Sequence, residues 1–332
     1  VVTGGIALAG AFLGLVALAT AVTAPRLRTA AGAAGVGAAL PVVVLAALYP
    51  GIGAQPYSLW ALAWDLLLAA AVALAAPGFP AVRVGALTYA AVAVAAFAVP
   101  NPVGGNVSRF AQYLAGPLLV ALVPGRRPMV AVIAGLLVWF QWFPAVDGIA
   151  LAGRDPSTRA GYYAPLLAAL ERQPGPIGRV EIPFTARHWE TAYVAPHSML
   201  ARGWERQLDT GYNPIFYDGT LDAGSYRDWL AANGVAYVAL PDAPLDPSSR
   251  AEGDLVARGL PYLRPVWSDA HWRVWRVVGF SGLADGPARV VRIDADRIEL
   301  EVSGTGVIDL AVRASPRWSL DGPGCVGRGP GG

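Results

Sequence analysis

Charged and aromatic side chains crowd into one short stretch, "LARGWERQLD" at residues 200–209, of a chain in which only 14% of residues are charged. Arginine guanidinium groups bind phosphate and carboxylate oxygens through two parallel hydrogen bonds, and a tryptophan ring offers an apolar face with one polar N–H. A second stretch, "FTARHWETAY" at residues 184–193, adds His188, Trp189 and Glu190. These residue types together would suit a surface that binds hydroxyl or phosphate groups.

The charges at 200–209 allow two interpretations. If residues 199–209 form a helix, the arginines and carboxylates lie three or four positions apart and satisfy one another, and Trp204 anchors this solvated helix. Alternatively, Trp189 or Trp204 stacks on the face of a sugar, and the charged residues bind its hydroxyl groups or a phosphate. The candidate set for this second interpretation is His188, Trp189, Glu190, Arg202, Trp204, Glu205, Arg206 and Asp209.

No motif identifies a cofactor. His188 and His197 lie nine residues apart with Glu190 between them, which is compatible with a divalent metal or acid–base chemistry and equally with hydrogen-bonded loop histidines. The single cysteine, Cys325, excludes an internal disulfide and a cysteine metal cluster. All 25 basic residues are arginine, so the phosphate-binding Gly-Lys loop is absent, and the pattern reflects GC-rich codons rather than a nucleic-acid partner.

The chain that must position these residues divides into an apolar half and a polar half. The chain of 332 residues is 55% hydrophobic with mean hydropathy +0.45, and the apolar excess lies before Asp147. Residues 1–144 hold six arginines and one acid, whereas residues 147–332 hold nineteen arginines and twenty-two acids. We therefore predict a transmembrane helical domain over 1–146, an extracytoplasmic α/β domain over 147–280 and a truncated β-rich segment over 281–332.

The apolar half predicts an α-helical polytopic membrane domain of about six spans, each near the roughly 20 residues that cross a bilayer. The spans are placed at about 4–24, 30–49, 58–76, 82–99, 108–123 and 128–145. Arginines follow the first, third and fifth spans, while the alternate loops "PGIGAQPY" and "PNPVGGNVS" carry no charge. Because cytoplasmic loops collect basic residues, we expect a multi-pass protein of the cytoplasmic membrane, surrounded by lipid bilayer, with residues 147–332 outside.

The polar half alternates strand and helix patterns before it ends in antiparallel β structure. "RVEIPF" and "VAYVALP" are typical of strands, and "SYRDWLAANG" predicts a helix closed by Gly234. "LRPVWSDAHWRVWRVV" predicts a hairpin that turns at 268–270, and "ARVVRIDADRIELEVS" alternates as a sheet does. The fold expected outside the membrane is therefore a layered α/β domain followed by β structure.

Two charged residues fall near the outer ends of predicted spans. Asp65 lies about seven residues inside the third span, and Arg109 begins the fifth. Charges there are costly and are paired or functional, so Asp65 and Arg109 form a buried ion pair or Arg109 extends to the head groups. In the functional interpretation, Arg109 binds a lipid phosphate together with Asn106 of the "NPVGGN" loop.

The arrangement resembles a known family. A multi-span half followed by an outer α/β domain with "WLAANGVAYVALPD" and "LPYLRPVWSDAHWRVWRV" is similar to actinobacterial members of the GT-C class of membrane glycosyltransferases. The resemblance implies transfer of a sugar from a polyprenyl-phosphate donor on the outer face of the membrane during assembly of cell-envelope glycan. It also implies a catalytic acid in the first outer loop.

The loop "PGIGAQPYS" contains no carboxylate, so either the catalytic acid precedes Val1 or this relative is not an enzyme. No catalytic residue is therefore assigned. The alternative is a non-catalytic membrane protein whose outer domain binds or organises envelope polymer. A transporter is less favoured, because polar spans and pairs of broken helices are scarce.

Overall fold

The computed structural model describes residues 14, 16–48, 53–122, 127–294 and 296–329. The chain divides into two compact units. The helical unit comprises Val1–Leu151 and Glu205–Tyr212, and the α/β unit comprises Ala152–Trp204 and Asn213–Gly332. The stretch "LARGWERQLD" is therefore shared between the two units rather than belonging to one.

Apolar helices build the helical unit. Residues 16–23 are helical, and the longer helices are α1 (Arg28–Leu48), α2 (Leu59–Ala75), α3 (Pro80–Ala98), α4 (Ser108–Leu122) and α5 (Arg127–Ala152). Alanine and leucine are strong helix formers, which explains the helical state of this half. Small residues at the contacts, among them Ala69, Ala93 and Ala111, allow α2, α3 and α4 to pack closely.

The predicted six-span membrane domain is wrong. Among the described residues, two helices, Pro25–Leu45 and Pro80–Ala98, are long and apolar enough to cross a bilayer. The helix at Leu59–Ala75 is apolar but has only 17 residues, and α4 has 15, which is short of the roughly 20 needed. The predicted span at about 4–24 extends into residues outside the described part.

Helix ends explain why apolar composition overestimated the number of spans. The Ser58 hydroxyl accepts a hydrogen bond from the backbone N–H of Ala61 at 3.1 Å, which caps the start of α2. Pro80 occupies the first turn of α3, where its missing N–H costs nothing. The bounds of α2 and α4 agree with the predicted segments 58–76 and 108–123, so the error was to count these short helices as membrane spans.

A four-stranded mixed sheet organises the α/β unit, in the order β1-β2-β4-β3. Its strands are β1 (Arg179–Glu181), β2 (Val235–Pro241), β3 (Leu263–Ser268) and β4 (Trp272–Val277). β1 and β2 are parallel, whereas β4 is antiparallel to both β2 and β3. The mixed sheet differs from a uniformly alternating α/β layer because the β3–β4 hairpin closes it.

Helices pack on both faces of this sheet. They are α6 (Ala160–Glu171), α7 (Glu190–Tyr193), α9 (Ala223–Ala232) and α10 (Arg250–Ala257), while α8 (Arg206–Tyr212) belongs to the helical unit. Successive strand residues point to opposite faces, so Val238 packs into the core with Tyr226, whereas Ala239 packs into the core with Trp272. Two apolar cores therefore hold the sheet in place from either side.

Short two-stranded sheets complete the chain. β5 (Ala284–Asp285) pairs with β8 (Asp309–Leu310), and β6 (Ala288–Ile293) pairs with β7 (Ile298–Val302). The Arg179 guanidinium donates to the carbonyls of Asn233 and Ala311, each at 2.6 Å. These bonds tie the last segment to the beginning of β1.

Candidate functional site at the carboxyl end of the parallel strands

The segments that follow β1 and β2 meet at one edge of the sheet. Thr185 and Leu245 form an isolated β-bridge, and the backbone N–H of Asp246 donates to the carbonyl of Phe184 at 2.9 Å. Ligands of open α/β sheets bind beyond the carboxyl ends of the strands, where the connecting segments leave the sheet. This end of the sheet is therefore the expected position of a binding site, and the predicted residues His188 and Glu190 lie there.

His188 is clamped between two carboxylates. Its Nδ1 lies 3.5 Å from Oε1 of Glu190, and its Nε2 lies 3.5 Å from Oδ2 of Asp246. Burial alone would lower the pKa of His188, but contacts with Asp246 and Glu190 outweigh it and raise the pKa to about 9. The imidazole is therefore an imidazolium cation at neutral pH.

Both carboxylates are fixed by hydroxyl groups. Glu190 is fully buried, and its Oε2 accepts a hydrogen bond from the Thr185 hydroxyl at 2.6 Å. Oδ1 of Asp246 accepts from the Ser248 hydroxyl at 2.6 Å and from the Ser248 N–H at 2.9 Å. The histidine is consequently held in a preformed frame.

The backbone of His188 is strained. With φ at 57°, His188 has the left-handed conformation that otherwise, among the described residues, only glycines adopt. A side chain in this region costs of order 1 kcal/mol or more, and such strain clusters at functional sites. The strained backbone of His188 therefore favours a functional role for its surroundings.

Two exposed tryptophans accompany His188: Trp204 stacks on it, and Trp189 follows it in the sequence. The Trp204 ring stacks on His188 with centroids 6.0 Å apart, and the Trp189 ring stacks on Tyr193 at 5.5 Å. Trp189 and Trp204 remain 40% and 49% exposed, although rings of this size are usually well covered. We call His188, Trp189, Glu190, Trp204 and Asp246 the tryptophan platform.

Arg202 lies in the core instead. Only 3% of it is exposed, and its Nη1 lies 2.9 Å from Oε2 of Glu252 and 3.5 Å from Oε1 of Glu181. The guanidinium carbon is 3.6 Å from the ring centroid of Phe216 and 4.3 Å from that of Phe184. Arg202 therefore serves a buried ion-pair network with acids outside residues 199–209 rather than an exposed ligand surface.

The remaining residues of the stretch belong to the helical unit. α8 begins at Arg206, so the predicted helix over 199–209 is wrong for its first half. Asp209 is buried, whereas Glu205 and Arg206 are half-buried. α8 packs closely on the loop before α2, since a Cβ on Gly53 would lie 1.6 Å from the Gln207 carbonyl oxygen. Glu205, Arg206 and Asp209 therefore belong to the helical unit, whereas the residues of the tryptophan platform belong to the α/β unit.

Asp65 and Arg109 do not pair. Asp65 is 3% exposed and accepts hydrogen bonds from the Tyr57 and Ser108 hydroxyls, the latter at 2.6 Å. Arg109 is exposed and, in the part of the chain that the structure describes, forms no ion pair. The predicted ion pair is therefore wrong. Asn106, whose backbone N–H donates to the Val103 carbonyl at 2.9 Å, sits in the short turn before α4.

An apolar cavity of about 270 Å³ lies within the helical unit. Its walls come from residues 16–20 and from α2, α3 and α4, and include Leu68, Val72, Tyr89, Phe110 and Leu114. The exposed Arg109 directly precedes the lining residue Phe110 in α4. The charged Arg109 is therefore adjacent in sequence to a residue of the apolar cavity wall.

Sequence reasoning missed several polar residues at the sheet edge. Asp246 belongs to the platform and Thr185 holds Glu190 in place, while Asp242, His271 and Tyr162 form a second hydrogen-bonded group. The available signal was that Asp242 directly follows the buried strand "VAYVALP" and that Asp246 comes four residues later. Among the described residues, no group of three or more His, Cys, Asp or Glu side chains is arranged to hold a metal ion.

Comparison with protein-family models, with curated proteins and with solved structures finds no match to this chain.

Proposed function

We propose that the α/β unit binds a carbohydrate on the tryptophan platform. The observation that carries this proposal is the pair of exposed rings, Trp189 and Trp204, beside the buried carboxylates that clamp His188. Aromatic rings supply apolar contact area at low entropic cost, and a few fixed polar groups give orientation and specificity. A sugar offers the matching combination of C–H faces and hydroxyl groups.

The charge of the platform favours a neutral or cationic sugar. One imidazolium and the two carboxylates of Glu190 and Asp246 leave a net charge of about −1. Arg202, the cation that would have attracted a phosphate, is buried against Glu252. We therefore expect neutral and amino sugars to bind more tightly than sugar phosphates or uronates.

We place this activity on a multi-pass protein of the cytoplasmic membrane, with the α/β unit outside. The two membrane-length helices support the membrane placement, and the outward position of the α/β unit is what the resemblance to GT-C class glycosyltransferases implies. The resemblance to GT-C class glycosyltransferases assigns the bound glycan the role of acceptor, with a polyprenyl-phosphate sugar as donor. Arg109, which forms no ion pair among the described residues, is together with Asn106 our candidate for binding the lipid phosphate, with the polyprenyl chain in the apolar cavity.

The binding claim is tested with the full chain in detergent micelles and a panel of neutral, amino and anionic oligosaccharides. Trp189→Ala and Trp204→Ala should each weaken binding of the best oligosaccharide by about tenfold, which corresponds to roughly 1.4 kcal/mol. Trp60→Ala is the matched control, because Trp60 is 72% exposed but belongs to the helical unit. Equal affinity of all three variants and the wild type would contradict the proposal.

A non-catalytic protein that organises envelope polymer is the second candidate. One observation favours it: Asp65, the one acid before Asp147, is buried and bound by the Tyr57 and Ser108 hydroxyls. Incubation with a radiolabelled polyprenyl-phosphate sugar and the bound oligosaccharide separates the two candidates. Label in the oligosaccharide supports transfer, and binding without labelling supports the organising role.

A further inference from the structure

A second histidine lies at the same edge of the sheet and is held by a carboxylate. Nδ1 of His271 lies 2.9 Å from Oδ2 of Asp242, and the other oxygen of Asp242 accepts a hydrogen bond from the Tyr162 hydroxyl at 2.7 Å. Asp242 directly follows β2, and His271 directly precedes β4. The pairing of these two antiparallel strands is what brings the residues together.

The surroundings fix this group rigidly. The Asp242 N–H donates to the His271 carbonyl at 2.9 Å, and Oδ1 of Asp269 accepts from the His271 N–H at 2.8 Å. Tyr162 is anchored because its carbonyl accepts from the indole N–H of the buried Trp272 at 2.8 Å. The imidazole therefore has a defined position although about half of its surface is exposed.

The free edge of the imidazole faces solvent. In the part of the chain that the structure describes, Nε2 of His271 has no hydrogen-bond partner. A carboxylate on Nδ1 holds the tautomer that leaves the Nε2 lone pair available. This geometry of an oriented base with an open nitrogen differs from that of His188, both of whose nitrogens face carboxylates.

We infer that His271 is the general base that activates an acceptor hydroxyl, with Asp242 and Tyr162 as positioning residues. The inference rests on the proposed function, in which a polyprenyl-phosphate sugar is the donor. The acceptor O–H gives its proton to Nε2 while its oxygen forms a bond to the anomeric carbon of the donor sugar. The bond between that carbon and the phosphate oxygen breaks, and the polyprenyl phosphate leaves with the electron pair.

A line of aromatic rings connects His271 to the tryptophan platform. The ring pairs Trp189–Tyr193, Tyr193–Tyr163, Tyr163–Tyr162 and Tyr162–His271 have centroids 5.5, 5.4, 5.2 and 5.1 Å apart. Tyr163 and Tyr162 are buried, so these rings connect the two places through the core and fix their relative position. The acceptor in this inference is an oligosaccharide, with one residue bound at Trp189 and another residue presenting a hydroxyl to His271.

The test measures sugar transfer and oligosaccharide binding by the full chain in membranes. His271→Gln should lower the transfer rate by about 100-fold or more, the usual contribution of a general base, while binding of the oligosaccharide stays within twofold. His197→Gln is the matched control, because His197 is an exposed histidine without a side-chain partner among the described residues. Thermal unfolding of each variant checks that the fold is retained.

Asp242→Asn tests the positioning role through the pH profile. The groups facing His271 are Asp242, Asp269 and Tyr162, and the hydrogen bond with Asp242 raises the pKa of His271 most strongly. Without the Asp242 carboxylate, the pKa of His271 should fall, so His271 loses its proton at lower pH. The acidic limb of the plot of transfer rate against pH should therefore move to lower pH. A purely structural role would lower the rate without moving this limb, and that result would overturn the assignment of Asp242.

The outcomes separate this inference from the proposed function. Wild-type transfer rates in His271→Gln, or a wild-type chain that binds oligosaccharide but transfers no sugar, would overturn the role of His271 while leaving the platform intact. Unchanged binding in the Trp189 and Trp204 variants would contradict the platform, and the His271 variant would still decide whether that residue acts as a base.

Discussion

At the residue scale, His188 combines backbone strain with a charge held between two acids. The left-handed backbone and the buried Glu190 are each unfavourable alone. The imidazolium offsets the cost of burying Glu190, because it lies 3.5 Å from a carboxylate oxygen of Glu190 and 3.5 Å from one of Asp246. Protonation of His188 therefore stabilises the platform.

This coupling predicts that stability depends on pH. The pKa of His188 is raised from its ordinary 6.5 to about 9 in the folded state, so its contribution is fully present below pH 6.5 and is lost as pH rises through 9. His188→Asn, which tolerates the left-handed backbone but carries no charge, should be less stable than wild type by on the order of 2–3 kcal/mol at pH 6.

The measurement is chemical unfolding of both proteins at pH 6 and at pH 10. We expect the difference in unfolding free energy to shrink at pH 10, where the wild-type imidazole is neutral. A difference of the same size at both values would show that the imidazolium does not stabilise the site.

At the element scale, helices and strands were predictable where the spacing of apolar residues and the end signals lie within one short segment. "SYRDWLAANG" predicts a helix that stops at Gly234, and α9 is present with a capping box between Asp222 and Ser225. The helix over 199–209 failed because its charge spacing fits a helix, yet tertiary contacts draw this segment elsewhere. Leu200 bridges to Val180, and Arg202 binds Glu252, 50 residues away in the chain.

Sites formed by strand pairing were not predictable from local patterns. Asp242 and His271 are 29 residues apart and meet because β2 pairs with β4. Nothing in the spacing of these residues specifies that register. His188, Trp189 and Glu190 were found only because they are adjacent in the sequence.

The stop after α9 gives a prediction at this scale. Gly234 has φ of 59°, and a Cβ there would lie 2.4 Å from Leu283, whereas Gly259 has φ of 87° and open space around it. Gly259→Ala should cost about 1 kcal/mol of backbone strain, and Gly234→Ala should cost a further 1–3 kcal/mol because the core is overpacked. Thermal unfolding of both variants measures the difference, and equal losses would contradict the close packing against β1 and the C-terminal segment.

At the scale of the whole molecule, composition predicted an apolar half and a polar half but overestimated the number of membrane spans. Among the described residues, two helices meet both the length and the composition needed to cross a bilayer, where the hydropathy pattern had suggested six spans. The short contribution of Glu205–Tyr212 to the helical unit was also unpredicted, because close packing of Gly53 on the Gln207 carbonyl leaves no trace in composition.

The proposed topology can be tested with the single thiol. Cys325 is exposed, and the proposal places it outside the cytoplasm. A maleimide that cannot cross membranes should therefore label it in intact cells whose outer wall admits the reagent. An unfolded sample confirms that the thiol reacts, and labelling that requires lysis would contradict the outward placement.

The central claim is that a glycan binds at the tryptophan platform, and the most direct measurement is photo-crosslinking of a bound oligosaccharide. The oligosaccharide with the highest affinity, carrying a diazirine group, is irradiated with the full chain and the attachment sites are mapped by mass spectrometry. We predict attachment within residues 184–190, at Trp204 or within residues 242–246, and its suppression by excess unlabelled oligosaccharide. Competable attachment only at other places, such as the loop at 101–107, would contradict the account.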